Sequence, residues 1–133
     1  MSGRSLPVAL TVIVLAAGLS GCTASTERPG VQQVAIQFVT AIEDHNGQAA
    51  CDLLTSDAEQ SVSGATDVSC PTAVLNIDES GSEVHHLQVW GDAAQVKLGS
   101  DTVFLQELPA GWQVRAAGCQ SQPGAAYNCD VRG

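Results

Sequence analysis

The side chains that could do chemistry are few. Cysteines stand at 22, 51, 70, 119 and 129, and histidines at 45, 85 and 86. A cysteine sulfur can accept a lipid, form a disulfide, bind a metal or act as a nucleophile, and its surroundings decide which. The last four are separated by 19, 49 and 10 residues. No close pair of the C-x2-C kind exists, so a zinc site is not expected. An even set of four reads as a disulfide framework in an exported chain. Four cysteines allow three pairings. The sequence-local one is expected: Cys51–Cys70 ties two neighbouring helical segments, and Cys119–Cys129 closes the C-terminal tail into a small loop. Each would contribute on the order of 3 kcal/mol by restricting the unfolded chain.

Acid–base candidates come next. His85 and His86 are adjacent in a predicted strand, so they point to opposite faces and cannot chelate one metal together. His86 falls on the wet face and His85 on the apolar one. Glu107 shares strand parity with Val103 and Leu105. A His85–Glu107 pair, with Trp112 beside it, is therefore the acid–base candidate for an interior pocket. Asp44-His45 reads as a solvated helix end. The sequence has no G-x-S-x-G elbow, no Gly-rich phosphate loop, no EF-hand loop and no H-E-x-x-H. No cofactor and no metal are called for. Convergent polar groups are poorly represented, so a non-catalytic binding module for a small ligand or protein is the expectation. The alternative is a small hydrolase or isomerase using His85 and Glu107. It requires a closed pocket of roughly several hundred Å³ holding both side chains.

Cys22 has a different context. Arg4 and the amino terminus precede a nearly unbroken apolar run over residues 7–18. A membrane span needs about 20 apolar residues, so this run reads as a secretory leader. It ends in Leu19-Ser20-Gly21-Cys22, which resembles the lipobox of bacterial lipoproteins. That resemblance implies a diacylglycerol on the Cys22 sulfur and cleavage after residue 21. Two acyl chains would anchor stably, at about 0.8 kcal/mol per buried methylene. The expected organisation is a signal peptide over 1–21, the lipidated Cys22 with a flexible tether to residue 30, and one domain over 31–133. The protein would be lipid-anchored at the cell membrane on its extracytoplasmic side, beside an envelope protein or a small ligand.

Composition agrees with an exported, soluble domain. The chain has 133 residues, 14 acids against 5 Lys+Arg, and a formal charge of −9. Removing the leader with Arg4 makes the remainder one unit more negative. Nothing offers nucleic-acid phosphates a basic patch. Anionic headgroups would repel such a chain, so the lipid and no basic surface does the anchoring. With 44% hydrophobic and 14% charged residues, a core can form.

The elements that position these residues follow from periodicity. Val31, Val34, Ala35, Phe38, Val39 and Ile42 line one face of a helix, which a turn cluster with Gly47 should stop. A short helix is predicted over 48–55. Ser56 and Glu59 form a capping box for another, to about 62. Pro71 suits the first turn of a brief helix over 70–77. From residue 83 the period falls to two, giving strands at 83–90, 93–98, 102–108 and 112–117. Their short connections make a four-stranded antiparallel meander. One face collects His85, Leu87, Val89, Ala94, Val96, Leu98, Val103, Leu105, Trp112, Val114 and Ala116. The other collects His86, Gln88, Gln95, Lys97, Gln106, Gln113 and Arg115, with Val84, Trp90, Phe104 and Leu108 among them. The fold class is α+β, with helices packed on one face of a curved sheet.

This element order resembles the nuclear-transport-factor-2-like superfamily, whose helices close a curved sheet into a cone. Three segments also resemble a group of uncharacterised actinobacterial lipoproteins. They begin at Gly47-Gln48-Ala49-Ala50-Cys51, at Val89-Trp90-Gly91-Asp92 and at Gly111-Trp112-Gln113-Val114, the last continuing to Cys119 with Tyr127-Asn128-Cys129. That likeness implies an envelope lipoprotein and no particular activity.

Overall fold

The apolar repeat of residues 31–42 makes up most of one helix, α1 (Ala24–Glu43). The structure, a computed structural model, describes residues 24–64, 67–79 and 81–133. The expected signal peptide and Cys22 lie outside the described residues. Val31, Ala35, Phe38 and Val39 are fully buried, while Gln32, Gln33 and Gln37 are exposed, as the helical period requires.

The expected tether is corrected: the chain is helical from Ala24 onward, with Pro29 inside the helix. The reason lies in tertiary packing, which a short aperiodic stretch does not announce. The Trp112 indole N–H donates to Glu27 Oε2 at 3.2 Å, and Gly30 lies against the same ring.

The end of α1 also differs from expectation. His45, not Gly47, takes the left-handed conformation, with φ +57°. Its N–H bonds to the Ile42 carbonyl at 3.0 Å, and that of Asn46 bonds to Ala41 at 2.8 Å, which closes a Schellman turn. Gly47 instead opens α2 (Gly47–Asp52). A Cβ there would sit 1.7 Å from the Pro71 carbonyl oxygen. Glycine is thus required for α2 to meet α4 (Cys70–Ala73), and the Cys51–Cys70 disulfide ties the same two helices. Between them lies α3 (Ser56–Gly64). Its first turn is capped by Thr55, whose Oγ1 accepts from the Ala58 N–H at 3.2 Å, one residue earlier than the expected box. A 3-10 turn (Val74–Asn76) follows α4.

The sheet has six strands, two more than expected. They are β1 (Val84–Trp90), β2 (Ala93–Leu98), β3 (Asp101–Leu108), β4 (Gly111–Gln122), β5 (Ala125–Asn128) and β6 (Val131–Arg132). All neighbours are antiparallel, in the order β1-β2-β3-β4-β5, and β6 also pairs with β4. No apolar alternation marks β5, because residues 120–128 are mostly exposed, and β6 has only two residues, too few to show a period. The Cys119–Cys129 disulfide joins β4 to the segment between β5 and β6. Alongside β6, residues 53–55 also cover β4: Thr55 N–H bonds to the Val114 carbonyl, and Val114 N–H to that of Leu53, each at 2.8 Å. This keeps the strand edge paired.

Leu87, Ala94, Val96, Leu98, Val103, Leu105, Trp112 and Val114 face the helices and are buried. Together with Phe38, Val39, Leu54 and Val74 they form one core. Register shifts break the simple alternation, two in β3–β4 and one each in β1–β2 and β4–β5. In β1 the register shifts between Val84 and His86, which turns Val84 toward the core and leaves His85 exposed. In β4 and β3, Leu105 stands opposite Val114 but Phe104 stands opposite Ala116, so Arg115 is the extra residue of a bulge.

Candidate functional site

The bulge at Arg115 shapes the outer face of the sheet. Gln95 stands opposite Phe104, Phe104 opposite Ala116, and Ala116 opposite Arg132. On the neighbouring rung Trp90 stands opposite Ala93. Trp90, Ala93, Phe104, Arg115, Ala116 and Arg132 line an open groove of about 370 Å³. The two alanines keep its floor low, and the aromatic rings supply apolar area. Phe104 is held edge-on against Tyr127, with ring centroids 5.0 Å apart and planes at 78°. The Tyr127 hydroxyl accepts from Gln95 Nε2 at 3.0 Å, which fixes Tyr127 in turn. Trp90 is 49% exposed.

The two guanidiniums at this groove are positioned by main-chain and amide oxygens. Arg115 Nη2 donates to the main-chain oxygen of Gly133, which also lines the groove, at 3.3 Å. Arg132 donates from Nε to the Cys129 carbonyl at 3.3 Å and from Nη2 to Asn128 Oδ1 at 2.9 Å. Among the described residues, no carboxylate side chain pairs with either one. A guanidinium has five N–H donors, so each keeps donors that these bonds leave unused.

The expected acid–base pair is not assembled. His85 lies at the start of β1, beside the Leu98 end of β2, and is exposed. Glu107 lies at the opposite end of β2, its backbone N–H bonded to the Asp92 carbonyl at 2.7 Å, and it too is exposed. The expectation that His85 faces the core is corrected by the β1 bulge. Trp112 stands opposite Glu107 but is buried under α1 against Glu27. His85, Glu107 and Trp112 thus share no pocket, and the groove contains none of them. Ala116, assigned to the apolar face by parity, belongs to the groove because of the β4 bulge.

A second cluster was not foreseen. Glu79 and Asp101 read from sequence as surface or turn carboxylates, yet Asp101 is 2% exposed. Glu79 Oε1 accepts from the Gly118 N–H at 3.0 Å. Glu79 Oε2 and Asp101 Oδ1 are buried without a hydrogen-bond partner. Gly118 has φ +61°, and a Cβ on it would lie 2.5 Å from Asp130 Oδ2. Glycine there admits Asp130, which accepts from the Asp78 N–H at 3.4 Å. Burial, reinforced by the charges of Asp101, Asp130 and Asp78, raises the Glu79 pKa to about 7 despite the opposing Gly118 hydrogen bond. This carboxyl therefore holds a proton into the neutral range. Among the described residues, no group of three or more His, Cys, Asp or Glu could hold a metal ion.

Set beside family models, curated proteins and solved structures, the chain matches none of them. Among the described residues, no helix is long and apolar enough to cross a membrane.

Proposed function

We propose that this protein is a non-catalytic, lipid-anchored binding module of the cell envelope. A lipid on Cys22 holds it to the extracytoplasmic side of the membrane, and the outer face of its sheet meets a small ligand or an envelope protein. The observation that carries the binding role is the groove: a half-exposed tryptophan beside two guanidiniums that, among the described residues, have no carboxylate side chain as partner, on a strongly acidic chain. Exposed aromatic and arginine side chains are the usual anchors of recognition surfaces. The anchor reading is supported by the leader and the Leu19-Ser20-Gly21-Cys22 run. Helices over one face of a bulged antiparallel sheet support a small, filled version of the nuclear-transport-factor-2-like cone.

The anchor is tested by labelling cells with radioactive palmitate. The wild-type chain should incorporate label and appear at its processed size. Cys22→Ser should lose the label and accumulate as precursor. Normal processing of Cys22→Ser would refute the lipoprotein reading.

A further inference from the structure

We propose that the groove binds a small organic anion with a flat apolar body, such as an aromatic carboxylate. This inference rests on the groove being the binding surface, and it adds the chemical class of what binds there.

The argument starts from charge. After Cys22 the chain has only Arg28, Lys97, Arg115 and Arg132 as Lys or Arg. Two of these four converge on one groove. An acidic protein repels anions at long range, so any anion it retains must be held by local cations at short range. Arg115 and Arg132 are suited to this. Their hydrogen bonds to Gly133, Cys129 and Asn128 fix them before a ligand arrives. Less side-chain freedom is then lost on binding. A planar fork matches a carboxylate with two parallel hydrogen bonds.

The remaining lining sets the body of the ligand. Trp90 and Phe104 offer aromatic surface, and Ala93 and Ala116 leave room above the sheet between them. Tyr127 packs edge-on against Phe104 from the side, which favours the ring's present position. A volume of about 370 Å³ suits one or two fused rings. An open groove leaves one edge of the ligand in water, so moderate affinity is expected.

The test uses the full chain in a non-ionic detergent. It is titrated by calorimetry with 2-naphthylacetate and, separately, with the uncharged 2-naphthylacetamide, each against a detergent blank. The acid should bind at least ten-fold more tightly than the amide, and less tightly as salt rises. Arg115→Gln should erase most of that preference while leaving amide binding in place. Trp90→Ala should weaken both ligands at least ten-fold. Both side chains are exposed, so unchanged melting of the variants will show that they fold. Equal binding of acid and amide to the wild type would overturn the anion inference and leave the groove standing as an apolar site. Binding of neither, or binding unaffected by Trp90→Ala, would overturn the groove as the binding surface as well.

Discussion

On the inner face of the sheet, Leu87, Val96, Val103, Leu105 and Val114 are buried under the helices. On the outer face of the same strands, Trp90 is half exposed, Phe104 and Ala116 are partly open, and Arg115 and Arg132 stand in solvent. Adjacent residues of one strand therefore serve different ends. Period two sends every second side chain into the core and leaves its neighbour for the surface. The inner face is closed by complementary apolar packing, and changes there act on stability. The outer face is finished by bulges and a returning hairpin, and on the proposed reading changes there act on binding. Glu79 lies at the seam, where the chain leaving the helical layer reaches the bent part of β4 at Gly118.

The comparison can be broken most forcefully from the inside. Phe38 is fully buried in the core. Phe38→Ala should cost about 4 kcal/mol, read as a lowered urea midpoint. A loss below about 1 kcal/mol would mean that the helical layer is not packed as described.

The seam should respond to pH. The Glu79 carboxyl is shifted from 4.5 to about 7 in the folded protein. Below 4.5 it is neutral in both folded and unfolded chains and imposes no penalty. As pH rises from there, the unfolded chain releases the proton first, so stability falls until the folded group ionises near 7. The loss by pH 8 is on the order of 3 kcal/mol. Glu79→Gln stays neutral and should remove that slope, so the two stability curves diverge between pH 5 and 8. Parallel curves would show that Glu79 carries no such shift.

The outer face should give the smallest stability effect. Trp90→Ala should leave the melting midpoint nearly unchanged, within about 0.5 kcal/mol. A large loss would place the indole in the core and dissolve the distinction between the faces.

Much of this division was legible in the sequence. The 31–42 helix, the hairpin at Gly91-Asp92, the first four strands and the local cysteine pairing all follow from periodicity, turn residues and spacing. The appearance of Trp90 and Phe104 among the polar-face residues already marked that face as unusual. What the sequence hid has one physical character. Each bulge flips the parity of the residues beyond it, and nothing in the letters Val84-His85-His86 or Arg115-Ala116 announces the flip. His85 was lost from the core, and Ala116 gained for the groove, for that reason. Glu79 and Asp101 were hidden because their burial depends on a distant segment, around Gly118 and Asp130, folding over them. The first turns of α1 were hidden because Trp112, far along the chain, organises them.

The central claim is that recognition belongs to the outer face alone. It is tested most directly by backbone amide NMR of the full chain during titration with 2-naphthylacetate. The account predicts shifts concentrated at Trp90, Ala93, Phe104, Ala116 and Arg132, with Phe38, Val96 and Val103 unmoved. Shifts centred on the helices or the core, with the outer-face residues silent, would contradict it.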